Sequence, residues 1–194
     1  MNNEDLENLI EQLKKVPGIS KKQAMKILFF LIETPMEEIE NFLNLIREFK
    51  KNTHYCEKCG YLNSNLICKM CLNSQRSLKI LVVEHSDIVT KFEESGKFDG
   101  KYFVFGKYDK KNLEKLDERV KKLASFVSDQ SEIILAFSST IDGLILTNFL
   151  AKHPFFTGKK ITKLAIGVPF GATIDYVDSL TLDQALKNRQ KVEN

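Results

Sequence analysis

Apolar residues recur along this chain at two rhythms, and the change between them divides it. Up to residue 53 the rhythm is helical. Leu6, Leu9, Ile10 and Leu13 fall three and four apart, which predicts an amphipathic helix over residues 5–15. Val16-Pro17-Gly18-Ile19 must end it, because proline cannot continue the ladder and glycine permits a tight turn. Ser20 with Gln23 spells a capping box for a second helix, with Ala24, Ile27, Leu28, Leu31 and Ile32 on its buried side. Thr34, Pro35 and Glu37 repeat the signal as N-cap, first-turn proline and capping partner. A third helix is therefore expected over residues 35–49, packing Ile39, Phe42, Leu43, Ile46 and Phe49.

Beyond residue 77 short β-branched runs alternate with helical stretches. Strands are expected at 79–84, 102–105, 132–137 and 161–166, and helices at 86–95, 113–127 and 142–152. Ser86 or Asp87 is the expected cap of the first of these helices. This alternation means βαβ units and a parallel sheet with helices on its faces, and the near-continuous apolar strands fit burial on both sides. The tail opens with Gly167-Val168-Pro169-Phe170-Gly171 and ends in a helix capped by Thr181, with Leu182, Ala185 and Leu186 inside it. Tyr176, Val177 and Leu180 form an apolar patch that either closes the core or seats a second subunit.

Between the two rhythms lies CEKCGYLNSNLICKMC, residues 56–71, which holds every cysteine of the chain. Cys56, Cys59, Cys68 and Cys71 form two C-x-x-C pairs separated by eight residues. Such spacing lets four thiolates meet tetrahedrally around Zn²⁺ in a closed, structural site with no open position for substrate. Two disulfides are the alternative, disfavoured by the reducing compartment expected for the chain and by the cramped reach across two residues. His54 is adjacent but superfluous as a ligand. The stretch has few apolar residues of its own, so the metal should be needed to order it.

Composition narrows the class further. The 194 residues allow one domain or two modest ones, and 43% hydrophobic with 28% charged residues is ordinary for a globular protein. No apolar run is long enough to span a bilayer and the N-terminus is acidic where a signal peptide is basic, so no membrane association is expected and a cytoplasmic location follows by elimination. A net charge of +3 is too small to argue for nucleic acid. Its distribution says more: Lys14, Lys15, Lys21, Lys22 and Lys26 crowd residues 12–32 with no acid among them. The Pro-Gly hairpin would expose the N–H groups of Gly18 to Lys21 at a helix N-terminus, which suits a phosphate oxygen, with Lys21, Lys22 and Lys26 in reach of a nucleic-acid backbone. An ordinary helical hairpin with a solvated lysine face is the plainer reading.

Open α/β sheets bind ligands at the carboxyl ends of their strands. Glu84 ends the first strand, Ser138, Ser139, Thr140 and Asp142 follow the third, and His85 and Asp87 are near in sequence. Mg²⁺-dependent phosphoryl transfer would need carboxylates to converge there, with Glu84 and Asp142 as candidates and Asp87 as a third. No G-x-x-x-x-G-K-[ST] loop is present.

The order of these parts resembles the bacterial recombination mediator RecR family. The segments that carry the resemblance are VPGISKKQAMKI (16–27), the cysteine module (56–71), LVVEHSDI (81–88), LAFSSTIDG (135–143) and LAIGVPFGATIDYVDSLTLDQAL (164–186), nearly the full length together. The resemblance implies an α+β, multi-part protein. Residues 1–53 would be a helix-hairpin-helix region, 54–76 a C4 zinc finger, 77–166 a Toprim-like α/β domain, and 167–194 a C-terminal oligomerisation segment. It implies a non-enzymatic role in recombinational DNA repair, with RecO and in some bacteria RecF, loading RecA onto single-stranded DNA. Ring-like homotetramers able to encircle DNA are implied as well. Gly18, Lys21, Lys22 and Lys26 would then contact DNA, whether single-stranded, duplex or junction. The Toprim-like domain, with Glu84 and Asp142, would face the protein partner. In enzymes that share the Toprim fold an Asp-x-Asp pair holds Mg²⁺; here Ser138 and Thr140 stand at those positions. The chain departs from the family pattern in a shorter segment after Phe105, and in Asp142 and Leu144 where many members carry glutamates. Two other classes compete: a Mg²⁺-dependent Toprim nuclease or primase-like enzyme, and a zinc-stabilised interaction module with no DNA role.

Overall fold

The computed structural model describes residues 3–108, 110 and 112–192. The shortened segment after Phe105 contains residues 109 and 111, so that departure lies partly outside the described residues. Two compact units divide the chain, Met1–Thr53 and His54–Asn194.

The first unit holds α1 (Asn3–Lys14), α2 (Lys21–Glu33) and α3 (Met36–Asn52). Ile10 of α1 packs with Ala24 and Leu28 of α2, and Leu6, Leu13, Ile19 and Met25 close around them. This covers part of the apolar stripe that the sequence places on the first two helices: Leu9 and Ile32 are exposed, and Ile27 and Leu31 are half-buried outside the cluster. The capping box forms as expected: Ser20 Oγ accepts the Gln23 N–H at 3.3 Å, and Gln23 Oε1 accepts the Ser20 N–H at 2.7 Å. Thr34 does not cap α3. Its hydroxyl turns back and donates to the Phe30 carbonyl at 2.6 Å, closing α2, while Pro35 holds the N-cap position of α3 with no side-chain bond. A threonine between two helices can bond either way, and here the i−4 carbonyl wins. Nor is the stripe of α3 covered: no residue of that helix is buried, and Phe42, Leu43, Ile46 and Phe49 are all exposed. Periodicity identifies an apolar face but not what lies against it.

The second unit begins with a two-stranded antiparallel ribbon, β1 (His54–Tyr55) and β2 (Leu62–Asn63), followed by the single-turn helix α4 (Lys69–Leu72). The parallel sheet follows, with β3 (Lys79–Val83), β4 (Lys101–Val104), β5 (Glu132–Ala136) and β6 (Lys160–Lys163) in the order β4-β3-β5-β6. Helices α5 (Ser86–Ser95), α6 (Leu113–Phe126) and α7 (Ile141–Ala151) connect the strands, and α8 (Ser179–Lys187) lies in the tail. Strand residues alternate between two apolar layers, as the period of two demands. Ile80, Val82, Phe103, Ile133 and Leu135 face Leu116, Val120 and Leu123 of α6 and Leu146 and Leu150 of α7. Leu81, Val83, Tyr102 and Ala136 pack with Val89 of α5. Burial on both faces explains why these strands read as continuous apolar runs.

Two caps differ from expectation. His85, extended and without a side-chain bond, stands at the N-cap of α5, so Ser86 and Asp87 lie inside the helix; Ser86 Oγ instead accepts the Leu62 N–H at 3.0 Å. In α8 the cap is Asp178, which accepts from the Thr181 N–H at 3.0 Å and from its hydroxyl at 2.7 Å. Aspartate is the better acceptor for a helix N-terminus, since it carries the charge that the helix dipole favours. The last strand also stops at Lys163, short of residue 166.

Candidate metal centre and nucleic-acid interface

The four cysteines meet. Their sulfurs all lie within 4.8 Å of one another, Cys56 to Cys71 at 3.9 Å and Cys59 to Cys68 at 3.6 Å, and none is in a disulfide. Four thiolates at about 2.3 Å from Zn²⁺ define a tetrahedron with edges of about 3.8 Å, so the spacing fits that donor set. Cys56, Cys59 and Cys68 are buried and Cys71 half-buried; His54 stays exposed on β1, outside the cluster. Burial raises the Cys56 thiol, but the N–H groups of Cys68, Cys59 and Lys58 outweigh it and bring it down to about 6. Cys59 is pushed up by its bond to Cys71 and by burial, and Cys68 is pushed up to about 11, chiefly by burial. A divalent cation held by Cys56, Cys59, Cys68 and Cys71 would supply the charge that lets all four ionise. Among the described residues, this is the group of side chains that could hold a metal ion.

The knuckle is also bolted to the sheet. The Val104 N–H donates to the Cys59 carbonyl at 2.7 Å. Gly60, at φ +75°, approaches so closely that a Cβ there would stand 3.0 Å from the Val104 carbonyl oxygen. Sequence reading missed Gly60 as a positioning residue. Its signal was the glycine directly after the first C-x-x-C.

In the helical unit, Gly18 makes the turn at φ +86° with open space on its Cβ side. Lys21, Lys22 and Lys26 are exposed on the first turns of α2. The expectation that four N–H groups are offered there needs correction. Ile19 N–H donates to the Val16 carbonyl and Ser20 N–H to Gln23, so among the described residues only those of Gly18 and Lys21 are left for a ligand. The capping box that starts the helix consumes a donor that a phosphate would otherwise share.

At the carboxyl ends of the strands the chain switches direction between β3 and β5, with β4 to one side and β6 to the other. Glu84 is buried at this switch point, and its carboxylate accepts the Ser138 N–H at 3.2 Å and the Ser138 hydroxyl at 2.5 Å. Thr140 Oγ1 caps α7 by accepting the Gly143 N–H at 3.2 Å, and Gly143 leaves room for the Ser138 carbonyl, which a Cβ would meet at 1.9 Å. Asp142 is exposed in the first turn of α7. The structure thus brings Glu84 together with Ser138 and leaves Asp142 facing solvent.

Fold and site together define a mixed helix-and-sheet protein with a parallel sheet and a four-cysteine cluster suited to a metal ion. Comparison with known proteins assigns the lineage. The family model described as "RecR, C-terminal" matches residues 167–190. Proteins named "Recombination protein RecR" match at nearly full length. That of Mycoplasmopsis pulmonis is 38% identical over 98% of this chain and 100% of its own. That of Carboxydothermus hydrogenoformans is 35% identical over 98% of each, and that of Syntrophomonas wolfei 32% identical over 96% and 97%. The chain belongs to the RecR family of recombination proteins. Among the described residues, no helix is long and apolar enough to cross a membrane.

Proposed function

We propose that this chain is a DNA-binding recombination mediator that acts with RecO, and where present RecF, to load RecA onto single-stranded DNA. Gly18, Lys21, Lys22 and Lys26 form the DNA contact of a helix-hairpin-helix, Zn²⁺ in the four-cysteine site is structural, and the parallel-sheet unit is a Toprim-like platform that meets its protein partner around Glu84 and Asp142. The observation that carries this reading is the turn at Gly18, with free N–H groups and three exposed lysines, in a chain similar throughout to recombination proteins. Phosphate contacts of this kind position a protein without reading sequence.

A non-enzymatic role is supported at the switch point. Both oxygens of Glu84 are engaged by Ser138, Thr140 is spent as a helix cap, and neither neighbour supplies the charge that Mg²⁺ prefers. Assembly into a tetrameric ring is supported by two exposed apolar surfaces, Phe42, Leu45 and Phe49 on α3, and Phe170, Tyr176 and Leu180 in the tail. The test is RecA filament formation on single strands coated with single-strand-binding protein, with RecO present. Stimulation by the parent chain, lost on Lys21→Ala/Lys22→Ala, is expected. No stimulation by the parent, or strand cleavage abolished by Glu84→Gln, would overturn it.

A further inference from the structure

A 780 Å³ cleft opens between the cysteine module and the sheet, well away from the hairpin lysines in sequence. Its volume falls in the range of about 300–1,000 Å³ typical of ligand sites. Lys107, Lys115, Arg119 and Lys122 line it, and Tyr55 and Leu62, paired across β1 and β2, form another part of its wall. Three of the cations come from one helix. Lys115, Arg119 and Lys122 are spaced four and three apart on α6, one position away from the buried stripe Leu116, Val120 and Leu123. They span about 10 Å along the helix axis.

The acids of α6 do not line the cleft; Asp117 pairs with Lys121 at 2.6 Å. Two acids and a histidine from elsewhere do: Glu84, Asp87 and His85. Glu84 has its charge met by Ser138, which leaves Asp87 as the opposing carboxylate. Arg119 is pre-positioned. It donates to the Lys107 carbonyl at 3.2 Å and lies against the bare Cα of Gly106, where a Cβ would come within 2.6 Å of Nη1. That bond uses one of five guanidinium donors. The N-terminal turn of α5 adds backbone donors without a side-chain cap, at Ser86 and Asp87 on the cleft wall. Tyr55 is 71% exposed, an aromatic face with no packing role of its own.

A basic groove beside an exposed aromatic ring is the footprint of unpaired nucleic acid, whose phosphates track the charges while a base stacks. An acidic peptide would use the cations but has no need of the ring. We propose that this cleft is a second binding site for single-stranded nucleic acid, taking phosphates on Lys107, Lys115, Arg119 and Lys122 and a base on Tyr55.

The test is fluorescence anisotropy of a labelled oligothymidylate titrated with full-length protein over a range of salt. Lys115→Ala/Lys122→Ala, both exposed, should reduce the slope of log K against log salt by about 1.4, at about 0.7 for each phosphate no longer neutralised. Lys107→Gln, on a separate segment, should reduce it by about 0.7 and guards against a misfolded helix. Tyr55→Ala should weaken binding about fivefold or more at unchanged slope. Duplex of the same length should respond to none of these. Lys21→Ala/Lys22→Ala forms a separate arm, whose result reports on the hairpin alone. Parent-like slopes in both cleft variants with parent-like melting would overturn the proposal. So would equal displacement of the strand by polyglutamate of matched charge, which would make this a peptide site. Loss of thymidine triphosphate binding with oligonucleotide binding intact would overturn it in favour of a free nucleotide.

Discussion

Removing the metal should unfold more than the cysteine module. Three of the four sulfurs are buried in the same apolar layer as Phe103, Phe105 and Leu116, so the site is part of the sheet's core. Structural zinc contributes about 10–16 kcal/mol in small modules, comparable with the whole stability of a typical domain at about 5–15 kcal/mol. If only about 4 kcal/mol of that is felt by the folded unit, melting should fall by about 8–16 °C, at about 2–4 °C per kcal/mol for a chain of this size. The loss should also reach β4, because the Val104 N–H bonds to the Cys59 carbonyl and would lose its acceptor's position. The assay is thermal melting by circular dichroism, with released zinc counted by a colorimetric chelator, on parent protein and on Cys68→Ala. Hydrogen exchange at Val104 and Phe105 follows the spread into the sheet. Complete metal release with unmoved melting and unchanged exchange would refute the reasoning.

Three further outcomes follow from close contacts and ion pairs. Gly143→Ala puts a methyl carbon where the Ser138 carbonyl stands, 1.9 Å away, so the loop after β5 must shift and the Glu84–Ser138 bonds with it. A loss of about 1–3 kcal/mol by urea denaturation is expected, whereas Gly18→Ala, which meets no atom, should cost only its backbone strain of about 1–2 kcal/mol. Glu93 is held below the ordinary glutamate value by its bond to Arg76, and Tyr102 donates to it at 2.6 Å. Its contribution is therefore complete above the unfolded-state value and lost as pH falls through the lower folded-state one. Melting of Glu93→Gln should then fall less steeply in acid than that of the parent, and parallel curves would remove the pair from the acid response.

Much of this was legible in the residues because the relevant physics is local. Two C-x-x-C pairs bring four sulfurs together whatever surrounds them, and Ser20 with Gln23 caps α2 through bonds three residues long. The alternation of β-branched runs and helical stretches gave the parallel sheet to within a residue or two at most ends. What escaped depended on choices between equal local partners or on distant packing. Thr34 had a carbonyl behind it and an amide ahead, and Thr181 had Asp178 three residues upstream as the better cap. The apolar stripe of α3 reads the same whether covered or bare. The cations of the cleft were visible as a four-and-three spacing on α6, but their meeting with Tyr55 depends on how the cysteine module folds back on the sheet.

The lysine-flanked turn at Gly18 is the point on which the functional reading turns, and the salt dependence of duplex DNA binding tests it most directly. With Lys21 and Lys22 both changed to alanine, the slope of log K against log salt should fall by about 1.8, at about 0.9 for each phosphate left without its lysine. Melting should stay unchanged, since both side chains are exposed. A slope and an affinity equal to those of the parent would take the turn out of the DNA path.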